Sequence, residues 1–235
     1  MRLDDIPGWF SVTDQHAFQW ILEYQNFLGL SGDLLELGVF KGKSAIYIGG
    51  YLKPGEKFTV CDLFEEVNSS HEIDFQAAKF YKNLTQEEFE KNYLSFHSML
   101  PSIIKGPSSS INNYLERNSC RFVHIDASHV YEHVREDISN SKSILCENGV
   151  VAFDDYRTEH TPGTAAAVWE AILNDELNPI FHTSGKLYCT WGDPLSLQAE
   201  IIRRAAQTSS YVTSDPLFIR KKPIIRMYWI KSKSR

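Results

Sequence analysis

The chain has 235 residues, 43% hydrophobic and 13% aromatic, which suits one large domain, or a domain with an appendage, built around a sizeable core. Its 24 Lys and Arg face 30 Asp and Glu, a formal charge of −6, so no basic surplus exists to neutralise phosphates and a nucleic-acid partner is not expected. No apolar run approaches the ~20 residues of a membrane span, and acids stand where a signal peptide would carry its apolar core, so a cytoplasmic protein with no membrane partner is expected.

The elements follow in chain order. Residues 11–27, SVTDQHAFQWILEYQNF, predict a helix capped by Ser11 or Thr13, within an N-terminal helical cap over 1–30. DLLELGVF (33–40) is a short apolar strand ending at Gly38, and KSAIYIGGYL (43–52) reads as a helix closed by the turn KPGE. KFTVCDLF (57–64) is a second strand ending at Asp62. The polar stretch 65–83 reads as an insertion that covers a site or moves freely. Thr85 followed by Glu88 is a capping-box signature for a helix over 84–100. SIIKG (102–106) is a third strand, SSSINNYLERN (108–118) is helix-like, and RFVHIDAS (121–128) is a fourth strand. A helix over 131–146, a fifth strand GVVAFDDY (149–156) and a helix over 163–174 complete the alternation.

Strands that alternate with helices and are mostly continuously apolar imply a parallel sheet covered on both faces. PIFHTSGKLYCTW (179–191) then reads as a hairpin around SGK, hence antiparallel. The expected fold is an α/β, Rossmann-like, doubly wound sheet of seven strands, mostly parallel with an antiparallel last strand. Beyond it, SLQAEIIRRAAQ (196–207) predicts a helix and PIIRMYWI a further strand, in an extension over 194–235 read as a lid or a homodimer element. The basic stretch FIRKKPIIRMYWIKSKSR also fits a solvated tail. Four scattered cysteines, 61, 120, 146 and 189, without CxxC spacing predict free thiols in a reducing compartment.

In open parallel sheets, ligands bind beyond the carboxyl ends of the strands. Chemistry-bearing residues fall there at all five strand ends. ELGVFKGKS carries Glu36, Gly38 and Ser44, with glycines that let backbone approach a ligand. Asp62 can accept hydrogen bonds from both hydroxyls of a ribose, or be a solvated loop acid. Gly106 and Ser108 can wall an adenine ring or simply begin a helix. Asp126 ends the fourth strand, and Asp154 and Asp155 end the fifth. Carboxylates at the ends of core strands are costly without a partner, and no basic partner is obvious, which points to a missing cation. The alternative is that Asp155 caps a turn and Asp154 pairs with Arg157.

From about residue 7 to 191, the chain resembles the class I S-adenosylmethionine-dependent methyltransferases. Within them it is similar to small bacterial O-methyltransferases whose first motif reads ExGxxxGxS, and it shares the layout of catechol and macrolide-sugar O-methyltransferases. The resemblance implies a cofactor-binding methyltransferase domain over 31–193 and S-adenosylmethionine as cofactor. Glu36 and Gly38 would line the methionine end, Ser44 its carboxylate, Asp62 the ribose, and Gly106 and Ser108 the adenine, with Asp126 beside the cofactor. It implies a divalent metal, Mg²⁺ by the hardness of its oxygen ligands, on Asp126, Asp154 and Asp155. His129, three residues after Asp126, would take the proton of the acceptor hydroxyl, or else cap the following helix. His124 and His133 read as structural. Tyr156, Arg157 and His160 are candidates for the acceptor wall, and Trp9 reads as a buried anchor more than a group over the site. The expected activity is O-methylation of a small-molecule hydroxyl, on a natural-product sugar or polyol. The alternatives are a catechol or phenol acceptor, a relative of antibiotic hydroxylases, and a protein that binds S-adenosylmethionine without catalysis.

Overall fold

The computed structural model describes residues 1–64 and 84–230. The expectation for 65–83 lies outside the described residues. Helix α1 (Val12–Phe27) begins where the Ser11 hydroxyl accepts a hydrogen bond from the Asp14 amide, satisfying one of the free N–H groups of a helix start. Helices α2 (Lys43–Gly49), α3 (Gln86–Leu94), α4 (Tyr131–Ile144), α5 (Pro162–Asn174) and α6 (Leu195–Ala206) follow. Thr85 caps α3 as its spacing predicts, by accepting from the Glu88 amide. The Glu88 carboxylate accepts from Lys41 Nζ at 2.8 Å, and α3 ends at Leu94 rather than 100.

The strands are β1 (Asp33–Leu37), β2 (Phe58–Asp62), β3 (Ser102–Lys105), β4 (Cys120–Ile125), β5 (Leu145–Phe153), β6 (Asn178–His182), β7 (Leu187–Thr190), β8 (Tyr211–Thr213), β9 (Leu217–Ile219) and β10 (Lys222–Trp229). Their order across the sheet is β3-β2-β1-β4-β5-β7-β6-β10-β8, with β9 on β10. The pairs from β3 to β5 are parallel, and β7 runs antiparallel between β5 and β6. The mostly parallel, doubly wound sheet with its late antiparallel strand is therefore present.

Two readings of the sequence need correction. The sheet has ten strands among the described residues, not seven, because β10 pairs in parallel with β6 and carries β8 and β9. The basic C-terminal stretch is thus not a solvated tail up to residue 230: Ile224, Ile225 and Met227 are buried, and the charges sit between them. Residues 108–118 give a short 3-10 turn over Ser108–Asn113 in place of an α-helix.

Strand alternation sorts the core into two layers. On one face α1, α2, α3 and α6 pack over Leu34, Phe122, Val150, Ala152 and Tyr188. On the other, α4, α5 and the 3-10 turn cover Leu35, Leu37, Val123, Ile125, Val151 and Phe153. The four cysteines are unpaired, three of them buried. No described helix is long and apolar enough to cross a membrane.

Candidate active site

The carboxyl ends of the central strands continue the sheet's hydrogen-bond ladder past its last residues. The Gly38 amide donates to Cys61 O at 2.8 Å, the Asp126 amide to Leu37 O at 2.8 Å, and the Asp154 amide to Ile125 O at 3.0 Å. This aligns Gly38, Asp126 and Asp154 at one edge. Gly38 has φ +79°, and a Cβ on it would stand 2.1 Å from the Asp126 carbonyl oxygen. Only glycine lets the first loop turn this close to β4.

A cleft of about 530 Å³ opens above that edge. Gly38 and Ser44 line it together with Asp126, His129, Asp154, Asp155 and His160. Trp9 and Phe40 stand at the cleft with ring centroids 5.5 Å apart. Trp9 is 66% exposed, so it is not the buried anchor expected of it. Asp62, Gly106, Ser108 and Glu36 do not line the cleft. Asp62 Oδ2 accepts from the Val39 and Phe40 amides at 2.7 and 3.1 Å, and Oδ1 from Phe64 at 2.9 Å. Here it braces the first loop, and burial raises its pKa against those amides. Gly106 follows alongside, its amide on Asp62 O at 3.0 Å, and Ser108 opens the 3-10 turn next to it.

A polar stripe crosses the sheet on the α1 face. Strand register places Glu36 opposite His124, and His124 opposite Ala152. His124 Nδ1 lies 2.7 Å from Glu36 Oε1, and Nε2 lies 3.0 Å from Lys186 Nζ. An ammonium only donates, so Nε2 accepts from Lys186 and Nδ1–H donates to Glu36. Burial, aided by Lys186, drives the His124 pKa well below its ordinary value and keeps the ring neutral. Burial pushes Glu36 up to about 8, opposed by the nearby Ser44 hydroxyl and by Lys186. Glu36 Oε2 is buried with no hydrogen-bond partner among the described residues.

Lys186 forms a buried ion pair with Asp154 Oδ2. Burial by itself lowers a lysine pKa, but Asp154, Asp126 and Asp14 outweigh it and hold Lys186 above its usual value. Asp154 Oδ1 accepts from the Asp155 amide at 2.9 Å. Asp154 therefore has a basic partner in Lys186, and Arg157 turns elsewhere, its Nε donating to Ser184 O at 3.2 Å. Lys186 is not legible in the sequence because it sits in a hairpin turn, where lysines are ordinary. Its aim becomes visible only once β7 is known to pair with β5. His124, expected to be structural, proves to link Lys186 to the first motif.

Two groups of side chains converge closely enough for an ion: Asp126, His129 and Asp155, and His124, Asp126 and Asp154. Each offers one ligand atom within 4.8 Å of the others. Asp154 and Asp155 occur together in neither. In the first group the two carboxylate oxygens are donors that fit a hard divalent cation, and the His129 imidazole stands beside them. His129 Nε2 is 3.4 Å from Asp155 Oδ2. Burial, then the Asp154 charge, raises the Asp126 pKa well above the ordinary carboxylate range and raises Asp155 in the same direction. Asp155 itself sits at φ +52°, a conformation that tilts its side chain out of the strand line. The remaining expected wall residues divide: His160 lines the cleft, while Tyr156 is buried with its hydroxyl 2.9 Å from His182 Nδ1.

A family model for a methyltransferase domain matches residues 35–156, more than half of the chain. The chain belongs to this methyltransferase domain family. Its strand order and the glycine turn after β1 agree with the class I methyltransferase fold. The solved structure of the O-methyltransferase NovP superposes with a TM-score of 0.63 at 18% identity, over 78% of this chain and 81% of that one. CalS11, a calicheamicin methyltransferase, does so with 0.60 at 16% identity, over 78% and 82%. PaMTH1 of Podospora anserina, solved with S-adenosylhomocysteine bound, gives 0.50 at 14% identity, over 75% and 78%. At these identities the likeness establishes the fold. No curated protein matches the chain.

Proposed function

We propose that this methyltransferase moves a methyl group from S-adenosylmethionine to a hydroxyl of a small molecule, with a divalent cation, Mg²⁺, at Asp126 and Asp155. The observation that carries the reading is one cleft lined by Gly38 and Ser44 of the first motif together with Asp126, His129 and Asp155. The turn at Gly38 supports the cofactor: with no side chain there, the first loop presents bare backbone to a ligand at the cleft. Bound, S-adenosylmethionine supplies the methyl on a sulfonium carbon, open to in-line displacement. The cation would lower the hydroxyl pKa and orient its oxygen.

The chain's own residues do the rest. Gly38 lets the first loop lie flat against β4 and leaves room for the cofactor's methionine end. His129 Nε2 takes the proton of the acceptor hydroxyl, and Asp155 beside it steadies the resulting imidazolium. Holding acceptor and methyl in one enclosed cleft supplies much of the remaining rate. CalS11 is described as a TDP-rhamnose 3′-O-methyltransferase, and a sugar or polyol hydroxyl is the acceptor class we place first. The exposed Trp9, tilted on Phe40, gives a phenolic ring a stacking surface and favours a catechol-type acceptor as the second reading.

The test is transfer of radiolabelled methyl from S-adenosylmethionine to a panel of sugar diols, polyols and catechols, with Mg²⁺ and with chelator. Label in a hydroxyl-bearing product, lost in His129→Ala, is the expected result. Label in no acceptor of either class would overturn the O-transfer reading.

A further inference from the structure

Of the two ion-sized groups at the strand ends, only one is open. His124, Asp126 and Asp154 surround the Lys186 ammonium, which touches His124 Nε2 at 3.0 Å and is paired with Asp154. Ala152 lies between His124 and Tyr188 in the register, and its small side chain leaves the path along which Lys186 reaches across β5.

The lysine is placed from outside. In the turn before β7, the Thr183 amide donates to Lys186 O at 2.9 Å, and the Thr183 hydroxyl donates to Asp14 Oδ1 at 2.6 Å. The Tyr188 hydroxyl donates to the same oxygen at 2.9 Å, and Ser11 donates to Asp14 Oδ2 at 2.6 Å. The N-terminal helix thus pins the hairpin that inserts Lys186. A charge held this firmly is not a mobile surface lysine folded inward.

We propose that Lys186 is a built-in cation that neutralises Asp154 in place of a metal ion and so confines divalent-ion binding to Asp126 and Asp155, beside His129. It is a positioning residue, not a catalytic one: it fixes which carboxylates remain for the ion. The proposal rests on the metal reading above only for the wild-type ion site. The occupation of Asp154 by Lys186 stands apart from it. A cation held by two carboxylates, with water and acceptor oxygens completing its shell, is the usual Mg²⁺ arrangement.

The experiment is Mn²⁺ binding, as a stand-in for Mg²⁺, followed by electron paramagnetic resonance on the full chain. Thermal melts establish that each variant is folded. Asp154→Asn is expected to leave the wild-type Mn²⁺ affinity within about threefold, while Asp155→Asn weakens it at least thirtyfold. Lys186→Met is expected to tighten Mn²⁺ at least tenfold, with the gain lost in Lys186→Met/Asp154→Asn. Lys186→Gln serves where the Met variant does not fold. Loss of Mn²⁺ in Asp154→Asn as large as in Asp155→Asn would overturn the proposal and leave the metal reading intact. Absence of wild-type binding with a gain in Lys186→Met would overturn the metal reading, and with it the confinement to Asp126 and Asp155, and uphold the neutralisation of Asp154 by Lys186. No gain in either Lys186 variant would overturn the proposal.

Discussion

Arg121, near the start of β4, and Lys186, at the start of β7, are both enclosed by protein, yet their surroundings differ in kind. Arg121 closes its account locally. Nε and Nη2 donate to the two Glu56 oxygens at 2.9 Å each, Nη2 also to Tyr51 O at 2.8 Å, and Nη1 to Gln25 Oε1 at 3.1 Å. The guanidinium meets the Glu56 carboxylate in the fork geometry that it favours, and Lys53 Nζ stands 3.1 Å from Glu56 Oε1. Lys186 is a point charge among Asp126, Asp154 and Asp155, and the surplus negative charge faces a cleft. A sealed pair at one end of the sheet belongs to folding. An unbalanced cluster at the other end, with raised carboxylate pKa values, is an arrangement that structure alone does not require.

The sharpest way to break this contrast is at the cleft. His129→Ala should lower kcat by about 10²–10⁴-fold, the usual worth of a positioned proton acceptor, with little change in melting temperature. An equal loss of stability and activity would make His129 structural. The same contrast predicts the reverse at Arg121. Arg121→Met leaves Glu56 with Lys53 as its remaining cation but strips donors from Gln25 Oε1 and Tyr51 O, and should cost about 1–3 kcal/mol in urea unfolding, while folded protein keeps its cofactor affinity. A change below about 1 kcal/mol would mean that Glu56 finds other donors.

Smaller effects sharpen the account of the polar stripe. Ala152→Leu fills the path of Lys186 across β5 and should cost about 1–3 kcal/mol by overpacking; a neutral result in a urea melt would show that the path is not tight. Glu36 gives a pH signature. Its folded pKa, about 8, lies above the unfolded value near 4.5, so the folded state holds the extra proton between them. Its contribution to stability is greatest below pH 4.5 and declines as the pH rises through that window towards 8. Glu36→Gln should remove this slope, read as a melting temperature that gains on wild type from pH 5 to 8. Parallel curves would place the titration elsewhere.

Much of this molecule was legible because its strands are short apolar runs that end in glycine or acid. Gly38, Asp126 and the Asp154–Asp155 pair announce the carboxyl edge of the sheet without any contact being known. Lys186 was not legible, since its meaning depends on antiparallel register between β5 and β7, a long-range fact. Trp9 departs from expectation for the same reason: aromatic residues near a terminus are usually anchors, and only the position of the first loop puts Phe40 beside it. The helix expected over 108–118 shrank to a 3-10 turn behind Pro107, where a serine run and paired asparagines prefer side-chain hydrogen bonds to α-helical ones. The C-terminal strands were half-seen, because lysine and arginine mask the buried Ile224, Ile225 and Met227 between them.

The central claim, a cofactor cleft shaped by Gly38 over the ends of β1 and β4, is tested most directly by calorimetric titration of S-adenosylmethionine and S-adenosylhomocysteine into wild type and Gly38→Ala. One site per chain for both ligands, lost in the variant whose Cβ would press on Asp126, is the predicted result. Heat from neither ligand in folded wild-type protein would contradict the account.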